Sequence, residues 1–232
     1  MASRSGYHTL SLDHGTRVAS LGLVAKKKSL IASERDPWER ALFALQQVAL
    51  DASCLVVVDE IGSNLNLTPT HAWAPVGERA VTPVPRNTPL TTTTIACMTD
   101  QGIGPSLIVS GGVDRVTFTT YLEHLLAPTL IPGQIVLLDN LSAHTSPQVQ
   151  AIVAARGCTL VYLPPYSPDY SPIELAFAKI KTLLRRAAAR TRETLEQAIA
   201  TALTQITSAD ARAFFEHCGY RFLPNLDQWF CT

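Results

Sequence analysis

The segment IVLLDNLSAHTSPQVQAIVAARGCTLVYLPPYSPDYSPIE, residues 135–174, contains the plan of half an α/β sheet. Ile135-Val136-Leu137-Leu138 is a short, wholly apolar run, the pattern of a buried strand, and Asp139 closes it. Ser146 and Pro147 start a helix, Val149, Ile152 and Val153 supply its buried stripe, and Gly157 ends it. Thr159–Leu163 is the next strand. It leads into the Pro-rich loop Leu163–Pro172 and to Glu174, which opens another helix. Two strands joined by a helical crossover imply parallel pairing.

The same grammar extends upstream. Leu55-Val56-Val57-Val58 is an apolar run closed by Asp59. Thr91 to Met98 is β-rich, and Gly102 and Gly104 mark a turn before Ser106-Leu107-Ile108-Val109, giving an antiparallel meander. Phe118, Tyr121, Leu122, Leu125 and Leu126 trace an amphipathic helix that Pro128 ends. The expectation is an α/β fold whose mixed five-stranded sheet combines an antiparallel meander with parallel strands, flanked by helices. Around it, Ala32 to Leu50 reads as a helix with Trp38, Leu42, Leu45 and Val48 at helical spacing. Asn64 to Ala80 reads as part of a hairpin, with Trp73 packed in it or in the core. Thr191 caps a further helix carrying Leu195, Ala198, Ile199, Ala202, Leu203 and Ile206 on one side. A short helix near Ala209–His217 and an aromatic tail follow.

Three carboxylates stand where these elements end or begin: Asp59, Asp139 and Glu174. Acidic groups at the ends of buried strands face a crevice, and three converging there need a cation to offset their repulsion. A hard divalent ion such as Mg²⁺ takes oxygen ligands and keeps positions open for phosphates. Each residue also has a plain structural role. Aspartate is common in the loops that follow strands. Ser171-Pro172-Ile173-Glu174 fits a capping box, with Ser171 as N-cap and Glu174 as its reciprocal partner. A helix start also presents free amides to a phosphate, so capping and chemistry can coexist. Glu60, beside Asp59, points to the opposite face if the strand continues, and stays outside this metal set.

The blocks around these residues, DEIGSNLNLTPTHAWAPVGERA from Asp59, LLDNLSAH from Leu137 and LPPYSPDYSPIELAFAKIK from Leu163, resemble the D-D-E catalytic domain of Tc-mariner superfamily transposases. The nearest likeness is to the bacterial insertion-sequence branch, the IS six-thirty group. Asp139 and Glu174 are separated by 34 residues, the spacing of that branch. The resemblance covers about Leu21 to Tyr220. It implies an RNase H-like fold and two Mg²⁺ ions, with Mn²⁺ as a substitute, held by catalytic Asp59, Asp139 and Glu174. The implied reaction is hydrolysis at transposon ends followed by attack of the freed 3′-hydroxyl on target DNA. Asn140 and His144 match the D-N-x-x-x-H pattern, which implies that Asn140 orients Asp139 and that His144 bonds a carboxylate or phosphate. Trp73 packs against DNA on the same resemblance. Ser171 departs from the branch, which more often carries Asn there; both are good N-caps.

The helix after Glu174 carries Lys179, Lys181, Arg185, Arg186, Arg190 and Arg192 and no acidic residue before Glu193. Glu174, Ala178, Lys181 and Arg185 share one helical face, while Ile180, Leu183, Leu184 and Ala187 form the face expected to pack on the sheet. Lys179, Lys181, Arg185 and Arg186, with Lys26, Lys27 and Lys28 upstream, are the candidate contacts to double-stranded DNA, both transposon ends and target. In the resembled family the Lys-rich piece follows a helix-turn-helix module. Little precedes it here, so the expectation is a truncated chain or one frame of two, with a separate helix-turn-helix frame as partner. The domain plan is a remnant or linker at 1–50, a catalytic domain at 51–220 and a tail at 221–232.

A chain of 232 residues with 47% hydrophobic content can bury a sizeable core. It contains 19 basic and 19 acidic residues, so DNA affinity must come from local patches. No apolar run approaches the roughly 18 residues of a membrane helix, and no secretory signal opens the chain. Cys54, Cys97, Cys158, Cys218 and Cys231 show no metal-type pairing and read as thiols of a reducing cytosol. The expected setting is the cytoplasm, on nucleoid DNA, as a homodimer because two ends must be joined together. Two other functions fit the letters: a standalone RNase H-like nuclease, and a DNA-binding relic that no longer cuts.

Overall fold

A computed structural model describes residues 32–86, 91–141 and 144–223. The chain divides into two compact units, Met1–Ser33 and Glu34–Thr232, and every element below belongs to the second. In order these are α1 (Pro37–Gln47), β1 (Leu55–Ser63), β2 (Thr92–Thr99), β3 (Gly102–Ser110), α2 (Arg115–Tyr121), β4 (Ile135–Leu138), α3 (Pro147–Ala155), β5 (Thr159–Tyr162), α4 (Pro172–Ala187), α5 (Arg192–Thr204) and α6 (Ser208–His217).

The sheet has the order β3-β2-β1-β4-β5. β1 pairs antiparallel with β2 and parallel with β4, and β4 pairs parallel with β5. The mixed sheet inferred from the apolar runs is therefore the sheet that forms. Alternation along β1 sorts its side chains onto two cores. Leu55, Val57 and Ile61 face the side covered by α1, α4, α5 and α6. Val56 and Val58 face the side covered by α2 and α3, against Phe118, Tyr121, Val149 and Val153. Cys97, Cys158 and Cys218 are buried free thiols and Cys54 is partly buried and free.

Local chemistry sets most helix starts. Asp36 accepts from the Trp38 N–H at 2.7 Å, and Ser146 accepts from Val149. Thr191 with Thr194, and Thr207 with Asp210, close reciprocal capping boxes; an N-cap of this kind contributes about 1 kcal/mol. α4 is the exception: the Ser171 side chain caps nothing. The capping box expected there does not form. The backbone carbonyl of Ser171 accepts from the Glu174 N–H at 3.2 Å instead, which leaves the Glu174 carboxylate free.

Five further expectations are corrected. The helix expected over 32–50 is shorter, and its Trp38, Leu42, Leu45 and Val48 stripe faces outward while Phe43 and Gln47 turn inward. Residues 64–86 hold turns but no strand, so the hairpin is absent among the described residues. Trp73 is fully exposed there and packs into neither hairpin nor core. On α4 the buried face is Ile173, Ala176, Phe177, Ile180 and Leu184, whereas Ala187 is exposed. α2 runs on through a π turn at Leu122–Leu126 and a tight turn at Ala127–Thr129, so Pro128 sits within its last turn.

Candidate active site

β1 and β4 are parallel neighbours, and both carry an aspartate toward the same end of the sheet. Asp59 extends the row Leu55, Val57 and so faces the α4 side, where the helix start delivers Glu174. Asp139 follows directly on β4. Asp59, Asp139 and Glu174 line one pocket of about 380 Å³, walled by Asn140, Leu141 and the loop 163–168. The three residues expected to converge share this pocket.

The electrostatics register the crowding. Burial pushes the Asp59 carboxyl up to about 8, and the negative charges of Glu174, Asp139 and Glu60 push the same way. The Glu60 N–H, donating to Asp59 Oδ1 at 2.7 Å, opposes the rise only in part. Among the described residues no three acidic, histidine or cysteine side chains are already gathered into a metal cage. The donor set nonetheless fits a hard divalent cation: the three candidate ligands are all carboxylates, and a positive ion would offset the burial and the neighbouring negative charge that together raise the Asp59 pKa.

His144 sits behind Asp139, with its ring almost wholly buried. Nδ1 bonds Asp139 Oδ1, and Nε2 bonds Glu60 Oε1 at 2.9 Å. Burial works to lower its pKa, but the two carboxylates outweigh it and raise the imidazole to about 9, so at neutral pH both ring N–H groups donate. The Leu141 N–H also donates to Asp139 Oδ1, at 3.2 Å. These two partners fix Asp139; Asn140 lines the pocket beside it.

The Pro-rich loop is held from outside by side chains that sequence reading missed. Asp169 accepts from both nitrogens of the Arg40 fork and from Arg35. Arg40 also lies over the Tyr170 ring at 4.4 Å, and Phe43 meets the same ring at 4.9 Å. The Tyr220 hydroxyl donates to the Tyr170 carbonyl at 2.8 Å. Within the loop, Tyr166 lines the pocket with φ of 54°, a left-handed backbone uncommon outside glycine. Its only sequence signal is its place between Pro165 and Ser167-Pro168.

The basic residues are divided. Lys181 and Arg185 lie half-buried on the face of α4 that carries Glu174, and Arg186 is exposed. Lys179 instead pairs with Asp210 on α6 at 2.7 Å. Arg190 is turned inward onto the carbonyls of Leu65 and Leu67, and Arg192 pairs with Glu196. Lys26, Lys27 and Lys28 lie outside the described residues. No helix among the described residues is long and apolar enough to cross a membrane.

Solved structures share this architecture at low identity. The pre-cleavage Mos1 transpososome aligns with TM-score 0.68 and 14% identity, covering 88% of this chain and 67% of that one. The Mos1 mariner paired end complex with Mn aligns with TM-score 0.69 and 15% identity over 88% and 67%. The isolated catalytic domain of Mos1 mariner transposase aligns with TM-score 0.56 and 12% identity over 83% and 94%. The fold is thus RNase H-like, as in the Mos1 catalytic domain. No curated protein sequence matches significantly. Residues 54–196 match the family described as DDE superfamily endonuclease. That span takes in β1 through the first turn of α5 and all three pocket carboxylates, and the chain belongs to the DDE superfamily endonucleases.

Proposed function

We propose that this chain is the catalytic domain of a DNA transposase of the bacterial insertion-sequence branch, with the catalytic domain at 51–220. It would hydrolyse phosphodiester bonds at element ends and transfer the freed 3′-hydroxyl to target DNA. The observation that carries this reading is the meeting of Asp59, Asp139 and Glu174 on one pocket, where burial, and after it the neighbouring negative charge, raises the Asp59 pKa. Asp59, Asp139 and Glu174 would hold two Mg²⁺ or Mn²⁺ ions. When bound, such a pair stabilises the attacking and leaving oxygens of an in-line displacement. The similar structures support the cation and the DNA: Mos1 has been solved in paired-end complexes with Mn and with Mg, and as a strand transfer complex.

The chain's own residues do the rest. His144 holds Asp139 by one oxygen, Oδ1, on a residue that lines the pocket. The start of α4, free of any side-chain cap, offers its positive dipole to a phosphate at the rim. Lys181, Arg185 and Arg186 continue from it as contacts to the DNA backbone. In the first step water displaces the 3′-oxygen of a phosphodiester, leaving a 3′-hydroxyl and a 5′-phosphate. In the second, that hydroxyl displaces the 3′-oxygen of a target phosphodiester. One such bond forms as one breaks, so no ATP is needed. Joining two ends calls for a homodimer on DNA, and a separate helix-turn-helix frame would supply end recognition, in the cytoplasm on nucleoid DNA.

The test is a strand-transfer assay with Mn²⁺, oligonucleotides copying the DNA that flanks the reading frame, and a supercoiled plasmid target. Joined product that disappears in Asp139→Ala is the expected result. Nicking without joining would reassign the chain as a nuclease, and DNA binding without either would mark it as a relic.

A further inference from the structure

We propose that Glu60 is a positioning residue for Asp139, acting through His144. This rests on the reading that Asp139 holds a catalytic cation. It adds a residue that alternation along β1 places on the face of the sheet away from the pocket.

The geometry is a three-membered chain of side chains. Glu60 Oε1 lies 2.9 Å from His144 Nε2, and His144 Nδ1 bonds Asp139 Oδ1. The ring stacks on Phe118, with centroids 4.0 Å apart and planes tilted by 32°. Its own backbone is tied down as well: the His144 N–H donates to the Leu141 carbonyl at 2.9 Å, and the Tyr162 hydroxyl donates to the His144 carbonyl at 2.9 Å.

Each contact removes one freedom of the imidazole. The stack on Phe118 fixes the plane of the ring. The two carboxylates, at opposite ring nitrogens, fix its rotation within that plane, because turning toward one breaks the bond to the other. Without Glu60 a buried N–H loses its acceptor, and the ring can rotate to seek another. Asp139 would then keep a single tether, the Leu141 amide. Oxygen ligands of metals are tuned in this way by the groups that bond them from behind, and removing such a group typically costs about 10- to 100-fold in metal affinity or activity. β1 would thus serve the pocket twice, with Asp59 directly and with Glu60 from the reverse face.

The experiment measures Mn²⁺ binding to the purified, metal-free chain by electron paramagnetic resonance of the free ion. Folding is checked by circular dichroism, and Mn²⁺-dependent plasmid nicking is followed in parallel. The variants are Glu60→Ala, Glu60→Gln, which keeps one acceptor oxygen, and Asp139→Ala. Expected is Mn²⁺ binding weaker by about tenfold or more in Glu60→Ala and by about threefold in Glu60→Gln. The nicking rate at saturating Mn²⁺ should stay within a few-fold of the parent. A hydrogen-bonded imidazole N–H proton resonance in the parent should be shifted or lost in both Glu60 variants. Parent-like Mn²⁺ binding in either folded Glu60 variant, with binding lost in Asp139→Ala, would overturn the role of Glu60 and leave the site assignment standing. Parent-like binding in Asp139→Ala would overturn the site assignment, and the role of Glu60 with it. Should Glu60→Ala not fold, Glu60→Gln decides.

Discussion

Arg40 meets Asp169 as a two-pronged fork, Nη2 to Oδ2 at 2.7 Å and Nη1 to Oδ1 at 3.1 Å, joining α1 to the loop that precedes Glu174. The arginines are mostly buried while half of the Asp169 side chain meets water, so solvent discounts the pair to about 1 kcal/mol of stability. Asp169→Ala should therefore lower the urea midpoint only modestly. Its larger effect should be on nicking, reducing kcat with little change in KM for DNA, since the fork aims the loop rather than binding substrate. An equal loss in KM would show that the loop contacts DNA.

Asp59→Asn should stabilise the metal-free chain at neutral and alkaline pH. An acid whose folded pKa is near 8, against 3.8 unfolded, binds more protons when folded. Its burial therefore costs stability progressively as pH rises from about 4 to about 8, and the cost is constant above. The gain at pH 8 should be on the order of 1 kcal/mol or more, since one pKa unit is worth about 1.4 kcal/mol and water reaches part of the group. Melting temperatures recorded across that range should slope downward in the parent and run flatter in the variant. Mn²⁺ should raise the parent's melting temperature and leave the variant's nearly unchanged.

The Lys179–Asp210 pair gives the opposite sign. Lys179 and the Thr207 cap hold Asp210 down to about 2. A depressed carboxyl contributes stability that is full above its unfolded pKa of 3.8 and is lost as pH falls through about 2. Lys179→Ala should shift acid unfolding to higher pH while costing less than about 1 kcal/mol at pH 7. Acid titration followed by circular dichroism reads this directly.

DNA affinity should separate the basic residues. Lys181→Ala with Arg185→Ala is expected to weaken binding to a linear duplex and to reduce the slope of log affinity against log salt by about 1 to 2. Lys179→Ala, whose charge is already paired within the chain, should leave both within about twofold of the parent. Equal effects from the two variants in a fluorescence-anisotropy titration would return Lys179 to the DNA face.

Much of the sheet was legible because its signals are local. Leu55–Val58 and Ile135–Leu138 are apolar runs that end in aspartate, and a helical crossover dictates that β4 and β5 run parallel. Asp59, Asp139 and Glu174 stand out for the same reason, each marking an element's end. The remainder depends on what lies across a gap in space. Alternation placed Glu60 on the reverse face of β1 but could not show that a buried imidazole waits there. Helical spacing picked Trp38, Leu42 and Leu45, yet the face of α1 turned to the core carries Phe43 and Gln47, because Tyr170 and the Cys218 carbonyl offer those two their partners. Ser171 has the letters of a capping box. The backbone before α4 is already closed by the turn from Pro168 to Ser171, which leaves its hydroxyl without that role.

β1 lies between β2 and β4, with ladder hydrogen bonds along both edges. Its amides should exchange with solvent only when the sheet itself opens. The segment bearing Pro168–Tyr170 depends on a few tethers from Arg35, Arg40 and Tyr220, and should exchange through small excursions that leave the sheet intact. One wall of the pocket is therefore as durable as the whole protein, and the other only as durable as those tethers. On warming, cutting should fade before the protein melts.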